Sequence, residues 1–85
     1  MPTVQLFANL RKLAGTKELP VTGSTLGEVL SRLAAQHPAL DGVILEGGQI
    51  RAHFVITING QIATDLKASV MAQDVVAIFP PIAGG

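Results

Sequence analysis

One stretch of this 85-residue chain reads clearly as a long amphipathic helix, and that limits the fold more than any other feature. Leu26, Val29, Leu30, Leu33 and Ala34 fall at i, i+3, i+4, i+7 and i+8, a single apolar stripe. Thr25 and Glu28 have capping-box spacing, in which each side chain satisfies a free backbone N–H at the helix start. Pro38 disfavours a helical His37, so the predicted helix covers Thr25–Gln36. A lone helix with one apolar stripe needs a sheet face on which to bury it.

The rest of the chain supplies that sheet. In Thr3–Ala8, Val4, Leu6 and Ala8 alternate with Thr3, Gln5 and Phe7, as in a strand. A short turn of helix over Asn9–Ala14, ended by Gly15, leads to a second strand at Lys17–Thr22, so the first two strands form a hairpin with an irregular connection. Ala39–Gln49 holds three glycines and reads as a loop, with Gly47-Gly48 as a turn and a further short turn near Val43-Ile44-Leu45. Ala52–Ile58 is rich in β-branched residues and predicts a strand. Asn59-Gly60 is a hairpin signal, because both turn positions want positive φ, and Gln61–Ala63 is the return strand. Asp65–Met71 matches neither period; a 3₁₀ turn is one reading. Asp74–Phe79 is the final strand, ended by Pro80-Pro81, which cannot donate to a ladder. The order ββαββ, with a fifth short strand or turn, places the chain in the α+β class. It is a β-grasp (ubiquitin-like) arrangement: a mixed four- to five-stranded sheet with one main helix on one face. Residues 1–79 form the domain and residues 80–85 a flexible tail.

Composition removes several functions. Length allows one small domain. Six basic and six acidic residues cancel without any block of like charge, which argues against nucleic-acid or anionic-membrane partners. The start lacks the basic and apolar regions of a signal peptide, and no apolar run is long enough to span a bilayer, so a cytoplasmic location is expected. The absence of cysteine excludes disulfides, thiolate nucleophiles and cysteine metal sites. His37 and His53 have no ligand-type companion at i+3 or i+4, so no metal site is expected and both read as solvated or locally hydrogen-bonded. No serine has the G-x-S-x-G context and no glycine-rich loop resembles a phosphate cradle. The six carboxylates form no acid–base pair, and Glu28 already has a capping role. The chain alone shows no catalytic machinery and no cofactor site.

Two features remain. The sheet face toward the helix should hold Val4, Leu6, Phe54, Ile56, Ile58, Val76 and Ile78, packed on Leu26, Val29, Leu30 and Leu33. The other face then presents Phe7, Val55, Thr57, Val75, Ala77 and Phe79, more apolar than an open antiparallel face should be. It reads either as a docking patch, with Arg11 on its rim, or as aromatic residues packed under the Ala39–Arg51 loop. The second feature is the tail, Pro80-Pro81-Ile82-Ala83-Gly84-Gly85. Six extended residues reach about 20 Å. Its prolines stiffen the exit from the sheet, and Gly84-Gly85 has no side chains to obstruct a narrow channel. A terminal carboxylate on Gly85 becomes reactive once adenylated, an acyl transfer in which the protein is the substrate.

The whole chain resembles the small subunit of molybdopterin synthase, the MoaD-type ubiquitin-like sulfur carriers of the MoaD/ThiS family. The resemblance rests on Phe7-Ala8 followed by Leu10-Arg11-x-Leu13-Ala14-Gly15, on Thr25-Leu26-Gly27-Glu28-Val29-Leu30, on Ile58-Asn59-Gly60, and on the run from Asp74 to Gly85. Its most specific part is the Phe79-Pro80-Pro81-x-x-Gly84-Gly85 ending. It implies that an E1-like, ATP-dependent enzyme adenylates Gly85 and that a persulfide donor converts it to a thiocarboxylate. It further implies that the tail enters the active site of the synthase large subunit, within a heterotetramer, to supply the dithiolene sulfurs of molybdopterin from cyclic pyranopterin monophosphate. By position, Phe7, Arg11 and Phe79, with Pro80, Pro81, Ile82 and Ala83, match the partner-binding surface. ThiS-type carriers of the thiamine pathway, carriers for cysteine synthesis and ubiquitin-like modifiers share the tail chemistry. The Phe79-Pro80-Pro81 context and the Ala39–Arg51 segment disfavour the thiamine type. A plain interaction domain would keep its function without Gly84-Gly85; a carrier would lose it while still folding and docking.

Overall fold

The computed structural model describes residues 1–81. In chain order these form β1 (Thr3–Leu6), α1 (Asn9–Ala14), β2 (Glu18–Pro20), α2 (Leu26–Gln36), a 3₁₀ turn (Pro38–Leu40), β3 (Leu45–Glu46), β4 (Gln49–Ile50), β5 (Val55–Ile58), β6 (Gln61–Ile62) and β7 (Val75–Phe79). Five strands make one sheet in the order β2-β1-β7-β5-β6. The first and last strands, β1 and β7, pair in parallel, and the other neighbours are antiparallel. This is the expected mixed β-grasp sheet with one main helix.

Val4, Leu6, Ile56, Val76 and Ile78 are buried in one cluster with Leu26, Val29, Leu30 and Leu33, as the alternation requires. Phe54 and Ile58 join that cluster only partly buried. An isolated 11-residue helix is marginal in water, so α2 depends on this packing. Each fully buried Leu or Val supplies about 1.5–3 kcal/mol.

The start of α2 is held more elaborately than a capping box. Thr25 Oγ1 accepts the Glu28 N–H at 3.2 Å, as expected. The reciprocal half differs: Glu28 Oε1 reaches one residue further back, accepting from Ser24 N at 2.9 Å and Ser24 Oγ at 3.0 Å. The next two free N–H groups go to carbonyls across the chain. Leu26 N donates to Ala68 O at 2.9 Å and Gly27 N to Leu66 O at 2.8 Å. The Asp65–Met71 segment is therefore neither helix nor strand. It is a turn at Leu66-Lys67 whose carbonyls cap α2, fixed by Asp65 Oδ1 accepting from Lys67 N at 2.9 Å. The entry to the helix is tight: a Cβ on Gly23, at φ 152°, would lie 2.8 Å from Val29 Cγ2 and 2.9 Å from Val29 N.

Three sequence expectations need correction. The Ala39–Gln49 loop contains the 3₁₀ turn, which buries Leu40, and an antiparallel β3–β4 ribbon around Gly47-Gly48. Two-residue strands are too short to show alternation. The first strand stops at Leu6, not Ala8, because Ala8 turns sharply with φ 55° and ψ −133°. β5 begins at Val55, not Ala52, because His53 has φ 71° and Phe54 N closes a turn onto Arg51 O. The remaining strand ends shift by one or two residues. The Asn59-Gly60 turn has the expected positive φ values, 52° and 85°. Asn59 also latches β7: its Nδ2 donates to Asp74 Oδ1 at 2.8 Å, and its Oδ1 accepts from Val75 N at 2.9 Å. Among the described residues, no helix is long and apolar enough to cross a membrane.

Two outcomes are expected. Gly23→Ala should lower stability by about 2 kcal/mol or more, read by urea denaturation, since the new methyl meets backbone as well as side chain. The second concerns acid. Hydrogen bonds, first from Met71 N and then from Asn59, hold the Asp74 carboxyl below its ordinary 3.8, and the Ser24 N–H and hydroxyl hold Glu28 below its ordinary 4.5. Depressed carboxylates stabilise the fold fully above those ordinary values and lose the effect as pH falls through the lower folded-state values. Asp74→Ala should therefore be less stable than wild type at neutral pH, and the gap should narrow on acidification below 3.8. Paired thermal melts across pH check this; a constant gap contradicts it.

Candidate docking site at the end of the last strand

Strand register builds the site. β1 and β7 align Leu6 with Ile78, so the next residues, Phe7 and Phe79, sit side by side on the face away from α2. Their rings stack with centroids 4.4 Å apart and planes 17° from parallel. Ala8 then turns the chain into α1, and Arg11, within the first turns of that helix, folds back over Phe7. Its guanidinium carbon lies 5.2 Å from the ring centre, and its Nε donates to Leu6 O at 2.8 Å. The result is a layered stack of arginine, phenylalanine and phenylalanine. Aromatic pairs of this kind contribute about 0.5–1.5 kcal/mol, and an exposed cation–π contact about 0.5–1 kcal/mol.

Across the sheet, Phe79 pairs with Val55, which is 42% exposed. Phe7, Ala8, His53, Val55, Phe79, Pro80 and Pro81 line a groove of about 620 Å³. None of residues 39–51 lines it. Gly42, Val43 and Arg51 instead share a smaller neighbouring groove with Pro80 and Pro81. The stack is thus on the open face and not beneath that loop.

Of the site residues named from sequence, Phe7, Arg11, Phe79, Pro80 and Pro81 come together here. Ile82, Ala83, Gly84 and Gly85 lie outside the described residues. Ala77, assigned to the open face, is 7% exposed. It sits on the central strand between Gln5 and Thr57, too small to rise above them. Two residues were not assigned to this face from sequence: His53, read there as solvated or locally hydrogen-bonded, and Ile62. His53 is a groove wall, and its one local signal was the tolerance of histidine for positive φ. Ile62, opposite Thr57 and so on the same face, is 72% exposed. Among the described residues, no three ligand-type side chains gather to hold a metal, and no polar side chain is buried.

A mixed five-stranded sheet covered by one main helix defines a ubiquitin-like β-grasp domain, and here an aromatic–arginine stack lies where the last strand ends. The chain belongs to the ThiS family, the ubiquitin-like sulfur carriers of ThiS and MoaD type, whose profile matches residues 4–85. It is 34% identical to small archaeal modifier protein 1 of Haloferax volcanii over 95% of this chain and 97% of that protein. It is 35% identical to the molybdopterin synthase sulfur carrier subunit of Arabidopsis thaliana, over 96% of this chain and 80% of that protein. The crystal structure of the Amycolatopsis orientalis BexX/CysO complex contains a chain of the same fold, with a TM-score of 0.90 over 100% of both chains at 22% identity.

Arg11→Lys tests the stack. Lysine keeps the charge but loses the planar contact and the Nε bond to Leu6. Stability should fall by about 1 kcal/mol, and the ring resonances of Phe7 and Phe79 should shift in NMR spectra. Unmoved ring resonances would show that Arg11 does not order the pair.

Proposed function

We propose that this chain is the sulfur-carrier subunit of molybdopterin synthase, acting in the cytoplasm and holding sulfur as a thiocarboxylate on Gly85. The observation that carries the reading is the position of the Arg11–Phe7–Phe79 stack. It lies immediately before Pro80-Pro81, so a partner that covers it receives the residues that follow. The likeness to the Arabidopsis sulfur carrier subunit supports the pathway, and the BexX/CysO complex supports delivery by docking.

The chemistry starts from an inert carboxylate. An E1-like enzyme supplies ATP; the Gly85 carboxylate attacks the α-phosphorus and pyrophosphate leaves. A persulfide's terminal sulfur attacks the acyl adenylate and displaces AMP. A second thiol attacks the donor's sulfur in the resulting acyl disulfide, forming a disulfide with the donor and releasing the thiocarboxylate as leaving group. The chain holds no cofactor of its own in this scheme. Phe7, Arg11 and Phe79 dock on the synthase large subunit, within a heterotetramer. Pro80, Pro81, Ile82 and Ala83 lead Gly84-Gly85 into its active site, where the sulfur becomes part of the dithiolene.

A second reading is favoured by the 34% identity to an archaeal modifier protein. There the activated Gly85 would form an isopeptide bond with a lysine. Co-expression with an activating enzyme and a persulfide donor, followed by intact-mass analysis, separates the cases. One terminal oxygen should be replaced by sulfur, and added large subunit should then convert cyclic pyranopterin monophosphate to a dithiolene product. An unaltered carboxylate contradicts a carrier. A thiocarboxylate that yields lysine adducts and no dithiolene favours the modifier.

A further inference from the structure

Among the described residues, nine have positive φ, the side of backbone space that glycine enters most easily. Six of them are glycines; the other three are Ala8, His53 and Asn59. Asn59 has a reason inside the fold. Asparagine tolerates positive φ, and its amide makes both hydrogen bonds that latch β7. Ala8 and His53 have no such return among the described residues. Both are exposed, and neither belongs to the apolar core. Ala8 gives α1 no side-chain cap, and the His53 ring takes part in no hydrogen bond.

Ala8 is the more strained of the two. At φ 55° and ψ −133° it lies outside the small left-handed well that side chains can occupy. A residue held in such a conformation costs a factor of about 5–150 in the folding equilibrium. Histidine is enriched at positive φ, so His53 costs less. Bringing Arg11 to Phe7 does not account for the methyl group, because glycine at position 8 would follow the same path without strain.

The two residues are far apart in sequence, yet both line the groove that holds Phe7 and Phe79, and no glycine lines it. Counted on from the strand register, Ala8 falls level with Pro80 on the β1 side. His53 falls level with Pro81 on the β5 side. Every other wall residue of the groove has an apolar side chain, so His53 is its one polar group. The chain thus keeps side chains in place of glycine at the two positions that flank the exit of the tail.

We infer that Ala8 and His53 are docking contacts: the partner that covers the stack packs on the Ala8 methyl and shares a hydrogen bond with the His53 imidazole, one on each side of Pro80-Pro81. This rests on the docking role proposed for the stack, and the partner is the same large subunit. Stability is given up at these positions because glycine would leave the partner nothing to touch. A grip on both sides of the prolines also sets the direction in which the residues after Pro81 leave.

The full chain is tested as Ala8→Gly, His53→Gly and Phe79→Asp, by urea denaturation and by titration calorimetry against the molybdopterin synthase large subunit. Ala8→Gly should raise the folding equilibrium constant about threefold or more. It should also weaken binding about fourfold, the loss of one buried methyl. His53→Gly should not lower stability and should weaken binding about tenfold. Phe79→Asp should abolish binding. A residue with a purely structural role would not move stability and affinity in opposite directions. Glycine also loosens the backbone, so a second readout is needed: with alanine methyls ¹³C-labelled, the Ala8 methyl should gain nuclear Overhauser contacts to the large subunit. Wild-type affinity in either glycine variant, or an Ala8 methyl without those contacts, overturns the inference while the Phe79→Asp loss leaves the stack as the docking site. A less stable Ala8→Gly shows that position 8 is unstrained and overturns it as well. If Phe79→Asp binds as wild type, or the unaltered chain does not bind, the docking reading itself falls and the inference with it.

Discussion

The parallel pairing of β1 with β7 is the contact on which the rest of the molecule depends. It joins the first strand of the chain to the last, so everything between must fold within that closure. Its register sets both faces at once. Leu6 beside Ile78 belongs to the core, and one step further Phe7 beside Phe79 belongs to the surface. A slip of one residue would send Phe79 toward α2 and Ile78 toward solvent, exchanging core for site. The same pairing that stabilises the domain therefore assembles the stack.

The second constraint is that α2 covers one face only. The helix is held at its start by four backbone N–H groups, of Ser24, Leu26, Gly27 and Glu28, all bonded to side chains or to carbonyls of the 66–68 turn. That anchoring fixes which sheet face it covers. The opposite face keeps apolar residues in view, and Arg11 stacks over one end of it instead of a second helix. Ala8 accepts an unfavourable backbone conformation so that α1 can begin where it brings Arg11 to Phe7.

Local physics explains what was legible in the sequence. The α2 stripe, its Thr25 cap and the Asn59-Gly60 turn are set by nearby residues, and they appear where the spacing placed them. Alternation in β1, β5 and β7 was enough to bring Phe7 and Phe79 to one face. The misses depended on distant partners. Leu66 and Ala68 looked featureless because their work is to accept hydrogen bonds from α2. The β3–β4 ribbon is too short to show a period. Alanine gives no hint of a turn at position 8. Ile62 was overlooked because its face follows from pairing with Thr57, not from its own neighbours.

The central claim is that the open face, and not the helix face, meets the partner and so presents the residues after Pro81. An NMR titration of the isotope-labelled chain with the synthase large subunit tests it most directly. Amide shifts or broadening should centre on Phe7, Arg11, Val55 and Phe79, with the exposed side of α2 unaffected. Perturbations confined to Ser31, Arg32, Ala35 and Gln36, with the Phe7–Phe79 stack silent, would contradict it.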